Sequence, residues 1–332
     1  MHAPDGFLTA GTALATGVIA TGGVAVALRR SGEELSDKQV PLAGLAAAFV
    51  FAGQMVNFPV AAGTTGHLLG GALAAVLLGP SVGALVVTVV VVVQALVFAD
   101  GGLTALGYNT LNMALVTAFG GWAVFRLGRR LLPATRTGVV IAAAVAAFAS
   151  VVLSAVAFSI EWLLGASAAV PFDRVFGAMV GVHVLIGVGE AIITGLVVGS
   201  VLATRADLVR GAADLTVTAP GTRRGIRPVL VVGILAALVV AAGVAQFAVS
   251  DPDGLERVAE DEGFAGAAEP HAFESALFAD YATAGVASES VSLAIAGISG
   301  TLLTLVVGSG ILLAVRRRPE QPDADRRTTS VV

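Results

Sequence analysis

The chain opens Met1-His2-Ala3-Pro4-Asp5-Gly6-Phe7, and its first two residues hold three nitrogens within one chelating unit. With Met1 as the mature terminus, the α-amine, the His2 amide nitrogen and the His2 Nδ1 close two small rings around a cation without any folding. A planar, all-nitrogen donor set suits Ni(II) or Cu(II), with Co(II) beside them. The plain alternative is a polar residue at a frayed end, and the dipeptide alone favours that alternative. Three more histidines follow, His67, His183 and His271. His67 is expected to begin a helix, at the membrane end that carries Met1, where it could donate a fourth nitrogen. Thr64 and Thr65 are expected to cap that helix or to orient the imidazole. A satisfied interfacial histidine is the equal alternative for His67.

His183 and Glu190, seven residues apart in one helix, share a face but stand two turns from each other. Ionisable groups within a membrane face the bundle interior, so the two line an ion path or serve as structural hydrogen-bonding groups. Structure is the favoured reading. Asn109 and Asn112, together with Gln54, Asn57 and Gln94, face the same choice. Several chemistries are missing. Lys38 is the only lysine and no phosphate-binding loop surrounds it, so nucleotide hydrolysis by that route is excluded. Neither H-E-x-x-H nor G-x-S-x-G occurs. There is no cysteine, hence no thiolate site and no disulfide.

These residues must be positioned by membrane helices. Charged residues make up 13% of the 332 residues and mean hydropathy is +0.91, far from a soluble composition. Apolar runs of spanning length recur, so the chain reads as an all-α polytopic membrane protein. Nine spans are expected: Phe7 to Leu28, Val40 to Phe58, Thr64 to Leu78, Ser81 to Phe98, Tyr108 to Leu127, Gly138 to Leu164, Asp173 to Ala203, Val229 to Val249 and Val291 to Val315. The third is short enough to be steep or partly re-entrant. No basic n-region precedes the first span, which is expected to be retained.

Basic residues set the orientation. Arg29, Arg30 and Lys38, then Arg126, Arg129, Arg130 and Arg136, then Arg205, Arg210, Arg223, Arg224 and Arg227, and finally Arg316, Arg317, Arg318, Arg326 and Arg327 all fall on one side. Arg174 and Arg257 alone lie opposite. The C-terminus is therefore expected in the cytoplasm and Met1 outside. The loop between the last two spans carries Asp251, Asp253, Glu256, Glu260, Asp261, Glu262, Glu269, Glu274, Asp280 and Glu289. Its acidity reads mainly as solvation of a weakly ordered excursion, with attraction of cations as the second reading. Small residues at x-x-x spacing, such as Gly66 and Gly70 or Gly177 and Gly181, are weak markers of helix contacts in so Gly-rich a chain.

The opening residues through Leu8 resemble the M-H-I-P-D-G-F-L start of the CbiM/NikM family, the substrate-binding S components of energy-coupling factor transporters for cobalt and nickel. The resemblance continues through Thr64-Thr65-Gly66-His67-Leu68-Leu69-Gly70-Gly71, the stretch from Gln94 to Gly107, Asn109 to Met113, and His183 to Thr194. Ala3 replaces the usual isoleucine and leaves the main-chain donors in place. Pro252-Asp253-Gly254-Leu255-Glu256 and Phe278-Ala279-Asp280-Tyr281 resemble the companion CbiN/NikN module, so the chain looks like a fused MN protein. The implied organisation is an S component over 1–204, a cytoplasmic linker over 205–227, a two-helix PDGLE module over 228–318 with its loop at 250–290, and a polar tail over 319–332. The resemblance implies a planar metal site built from the Met1 amine, the His2 amide and imidazole, and His67. It leaves Thr64, Thr65, Asn109, Asn112, His183 and Glu190 as residues that orient the ligands or serve structure. Ni(II) or Co(II) is the implied cargo, with no organic cofactor. The implied partners are a membrane T subunit and two cytoplasmic ATPases, with the lipid bilayer around them and no nucleic acid. Toppling of the S component would carry the ion inward, in the cytoplasmic membrane of a prokaryote. A membrane scaffold with incidental metal affinity is the alternative of another class. An embedded enzyme using His183 and Glu190 is the least favoured.

Overall fold

The computed structural model describes residues 1–34, 39–61, 63–215 and 225–316. Lys38, Arg223, Arg224, Arg317, Arg318, Arg326, Arg327 and the expected tail lie outside the described residues. The described chain is helical apart from one small hairpin. Its helices are α1 (Ala10–Glu34), α2 (Gln39–Gln54), α3 (Gly71–Leu78), α4 (Pro80–Val93), α5 (Leu106–Asn109), α6 (Gly121–Leu131), α7 (Arg136–Gly165), α8 (Phe172–Arg205), α9 (Arg227–Ala242), α10 (Gly254–Glu262) and α11 (Glu289–Val315). Seven helical stretches are long and apolar enough to cross a bilayer: α1, Pro80–Phe98, Leu106–Leu131, α7, α8, Arg227–Phe247 and α11. By length and composition these make the chain a multi-pass membrane protein.

Three of the nine expected spans come out differently. The second ends at Gln54, because the chain turns into strand β1 (Phe58–Ala61) at Pro59, which cannot donate to a helix. The third does not begin at Thr64. Residues Thr64–Gly66 form strand β2, paired antiparallel with β1, and only Gly71–Leu78 is helical. His67 therefore lies in an extended segment rather than at a helix start, and Thr64 and Thr65 cap nothing. The left-handed backbone of Gly70 breaks the path into α3. The eighth span's helix stops at Ala242, short of Val249, and continues only as a tighter turn through Phe247.

The short α3 and the following α4 are enclosed almost completely, with every residue of α3 except Leu77 buried. They form the centre about which longer helices pack. α1 turns an apolar face outward, with Leu14 71% exposed, as lipid or a partner subunit requires. The two C-terminal helices dock on α2. A Cβ at Gly44 would stand 2.9 Å from Leu305 O of α11, and one at Gly233 of α9 would meet Leu45 at 2.5 Å. Those two glycines permit a close approach that the small-residue spacings did not single out. Gly177 and Gly181, which they did, face nothing within 4 Å.

The ends of the bundle differ in charge. A Cβ at Gly32 would lie 2.8 Å from Val315 O, which joins the far end of α1, with Arg29 and Arg30, to the end of α11. Arg129 binds Asp214 at 2.7 Å at the end of α6. Met1, the hairpin, the α7–α8 connection and α10 gather at the other end. There Thr9 N donates to Gly165 O at 2.9 Å, and Thr65 N donates to Pro252 O at 2.9 Å.

Candidate metal site

Every residue from Ala3 to Phe7 is tied down, which is what an extended N-terminus needs if its first atoms are to hold a fixed place. The Ala3 peptide is gripped on both sides by Asn109, whose Oδ1 accepts from Ala3 N at 2.9 Å while its Nδ2 donates to Ala3 O at 2.9 Å. Tyr108 donates its hydroxyl to Pro4 O at 3.0 Å. Asp5 accepts from the N–H groups of Leu103 at 3.1 Å and Thr104 at 2.6 Å and from the Thr104 hydroxyl at 2.6 Å, so it ties the turn that leads into α5 to the terminus. The turn at Asp5 and Gly6 passes beneath the loop after α10, where Glu269 N donates to Asp5 O at 2.9 Å. Beyond it Ser167 donates to Phe7 O at 2.9 Å.

This lashing buries the Met1 residue, which is only 5% exposed. Its amine nitrogen lies 3.0 Å from His67 Nε2 and forms an ion pair with Asp253. Two nitrogens on neighbouring corners of one cation, each about 2.0–2.1 Å from it, stand about 2.8–3.0 Å apart. The amine and His67 Nε2 already have that separation. His67 Nδ1 contacts Leu68 O at 3.0 Å, so that nitrogen carries the proton and Nε2 presents its lone pair. The His2 and His67 rings stack with centroids 5.3 Å apart. No described residue accepts a hydrogen bond from the His2 amide N–H. The His2 imidazole is buried against Asp100 and Gln94, with Nδ1 3.3 Å from Asp100 Oδ1 and Nε2 3.0 Å from Gln94 Oε1. Closing the three-nitrogen chelate requires this ring to turn away from Asp100. Burial, only partly offset by Asp100, pushes the His2 imidazole down to about 4, so it is neutral and ready to donate a lone pair at neutral pH. Among the described residues no three His, Asp or Glu side chains form a metal cluster. The donors gathered here are main-chain nitrogens together with imidazoles.

The segment bearing His67 has its own anchor. The buried Glu190 carboxylate accepts from Leu69 N at 2.7 Å and Gly70 N at 2.8 Å, and Gln54 Nε2 donates to Leu69 O at 3.0 Å. Glu190 thus replaces the helical hydrogen bonds that the expected third span would have supplied. His183 makes a different bond, from Nδ1 to Met179 O at 2.7 Å. Asn112 donates to Glu161 at 2.7 Å within the bundle. Thr65 does not touch the His67 ring; its hydroxyl binds Asp251 O at 2.9 Å and Pro252 O at 3.1 Å, joining β2 to the PDGLE segment.

The acidic loop is built rather than loose. Asp253 and Glu256 form a reciprocal capping box at the start of α10, and Leu255, Val258, Ala259 and Phe264 are buried. Phe264 packs edge-on against Phe7 at 5.2 Å and against Trp162 at 4.4 Å. Most of the acids do face solvent, as the solvation reading expects. Asp253 is the exception. Burial alone would raise its carboxyl, but the Met1 ammonium and His67 hold it well below the usual carboxylate range. Tyr281 closes the other side. It donates to Asp100 at 2.5 Å, accepts from Gln94 Nε2 at 2.9 Å and stacks on Phe98 at 5.0 Å. Asp100, Asp253 and Tyr281 hold the terminus without having been predicted to. For Asp253 the available signal was the PDGLE resemblance, and for Asp100 an acid at the end of an apolar run.

Comparison with known proteins bears on this arrangement. Residues 2–208 match the CbiM family model, described as a cobalt uptake substrate-specific transmembrane region, and residues 227–317 match the PDGLE domain. A putative fused nickel transport protein NikMN of Archaeoglobus fulgidus is 34% identical over 93% of this chain and 97% of its own length. A putative metal transport protein of Haloquadratum walsbyi is 40% identical over 63% of this chain and 93% of its own. A crystal structure of a truncated transition metal transporter superposes with a TM-score of 0.54 at 32% identity, over 61% of this chain and 99% of that one. The chain is a multi-pass membrane protein of the CbiM family, related to nickel and cobalt transport proteins and carrying a PDGLE domain at its C-terminal end.

Proposed function

We propose that this chain is the substrate-binding subunit of an energy-coupling factor importer for Ni(II) or Co(II). The ion binds outside, to the Met1 amine, the His2 amide and Nδ1, and His67 Nε2. A membrane T subunit and two ATPase subunits then drive its delivery inward, so the chain itself is a transport subunit and no enzyme. The C-terminus lies in the cytoplasm, where the basic helix ends gather. Residues 1–204 form the binding unit, 205–227 the linker and 228–318 the module whose loop covers the site. The observation that carries this reading is the buried Met1 amine 3.0 Å from His67 Nε2. The fused relative is named for nickel and the family model for cobalt. Both ions accept nitrogen donors, while a planar set favours Ni(II).

The test is chemical. One residue added before Met1, or acetylation of its amine, removes a donor and fills the space at Asp253. Calorimetry should then show at least 100-fold weaker Ni(II) binding, beyond the roughly 10–100-fold lost when a supporting contact is removed. Affinity unchanged by either modification sinks the terminal site. A non-transporting scaffold, the alternative, predicts no stoichiometric metal on the chain with a native amine.

A further inference from the structure

The seam between α7 and α8 opens sideways as a groove of about 590 Å³, and every residue lining it is apolar. Its floor is made of small residues. A Cβ on Gly195 of α8 would meet Ala144 Cβ of α7 at 3.7 Å and Val140 at 3.8 Å, so the helices touch there and leave the space above open. The rims are larger and face outward, with Val145 51%, Ile192 58% and Leu196 67% exposed. Both helices are long and apolar enough to cross a bilayer, so this surface lies in hydrocarbon. An apolar guest gains dispersion contacts along such a lining that an empty groove forfeits.

The two ends of the groove decide which guest fits. At the deep end Phe148 blocks the seam, since a Cβ on Gly187 of α8 would stand 3.0 Å from its ring. At the other end Arg136 opens α7, four residues before Val140 and so on the same helix face. Arg136 is exposed and no acid pairs with it among the described residues, whereas Arg129 and Arg205 at the same end bind Asp214 and Asp207. From position 136 to position 148 the helix rises about 18 Å at 1.5 Å per residue. That depth is close to one leaflet, about 15 Å or half the hydrocarbon core. A partner's membrane helix would have to run on past Phe148 into the second leaflet, where the groove no longer continues. An acyl chain ends within its own leaflet and carries its phosphate at the level of Arg136. A guanidinium pairs well with phosphate, and its long stem lets it reach the headgroup layer.

We propose that the α7–α8 groove is a binding site for an anionic phospholipid, one acyl chain lying between Val140 and Phe148 and the headgroup resting on Arg136. The site gives this face of the bundle to the bilayer, so a membrane partner docks on another face.

Native mass spectrometry of the full chain in detergent, titrated with phosphatidylglycerol or with phosphatidylcholine of the same chain length, tests it. The chain should retain one phosphatidylglycerol about fivefold more tightly than phosphatidylcholine, which is what one arginine near a charged lipid surface supplies. Arg136→Gln should erase that preference. Arg130→Gln, also exposed at this end but on α6, should leave it intact. Ala191→Leu raises the floor by about two methylenes and should weaken both lipids about tenfold. Ile192→Ser, at the exposed rim, should weaken both about threefold and serves if the leucine variant fails to fold. Equal affinity for the two lipids overturns the proposal. So does an equal loss of preference in Arg130→Gln, which would mean diffuse attraction to the basic end rather than a site. Retention unaffected by both groove variants puts the lipid elsewhere, overturns the proposal and leaves the groove to a partner's helix.

Discussion

Glu190 is where one substitution should reach the proposed metal site without touching a proposed ligand. Its two carboxylate oxygens accept from Leu69 N and Gly70 N at 2.7 and 2.8 Å, and these bonds fix the segment that presents His67. In Glu190→Ala both buried N–H groups lose their acceptor, at about 1–3 kcal/mol each, or about 2–6 kcal/mol together. Glu190→Gln keeps one acceptor oxygen and turns an N–H toward the other donor, so about half of that loss is expected. Expressed entirely as opening of the 67–70 segment, 3 kcal/mol lowers the binding-competent fraction and weakens apparent affinity by about 100-fold. Calorimetry with Ni(II) on the chain with a free amine reads this directly. The glutamine variant should bind about 5–100-fold more weakly, the alanine variant more weakly still, each with one site. Asp261→Asn is the control, since it removes only an exposed pair with Arg257 and should leave affinity unaltered. If both Glu190 variants bind within twofold of the unaltered chain, the carboxylate does not hold His67 in place and the anchoring argument is wrong.

Two further outcomes follow from the grip on the terminus. His2 is a base whose folded value is lowered to about 4 from 6.5, so the folded state binds fewer protons between those limits. The packed terminus should keep its full stability above pH 6.5 and lose about 3 kcal/mol as pH falls from 6.5 toward 4; NMR of histidine-labelled metal-free chain should show no His2 protonation at pH 5.5, and ordinary titration near 6.5 would contradict the burial. Asn109→Leu removes both bonds to the Ala3 peptide, at about 1–3 kcal/mol for each polar group left unpaired. Hydrogen exchange over residues 1–8 should quicken at least tenfold, and unchanged protection would show that Asp5 and Tyr108 suffice.

Period and composition made the long helices legible. α7 and α8 came within two residues of their expected ends at all four termini, because lipid leaves a long apolar run no other satisfied backbone. The third span failed for an instructive reason. Residues 64–78 are apolar enough for a helix, but Leu69 and Gly70 give their N–H groups to a carboxylate 120 residues away, and no local pattern records such a partner. The same holds for the terminus. The sequence offered Met1, His2 and His67 as candidate nitrogen donors, whereas Asn109, Asp5 and Asp253, which fix that terminus, act across about 100 residues or more.

Two stretches of the expected helices have a wider turn than an α-helix, Gln94–Phe98 and Thr110–Gly120. Wide turns cluster at functional sites because each changes which side chains face inward. Here the first carries Gln94, which meets His2 and Tyr281. The second begins directly after Asn109 and carries Asn112, which meets Glu161. Regular α-helical turns through both stretches would rotate these amides relative to the apolar face on either side. The helices are therefore locally widened where they carry or adjoin buried amides that hydrogen-bond across the bundle, and apolar periodicity, which reads only the regular turns on either side, passes over them. That is why the amides looked like structural residues in the sequence, while the fold sets Gln94 and Asn109 beside the first three residues of the chain and Asn112 against Glu161.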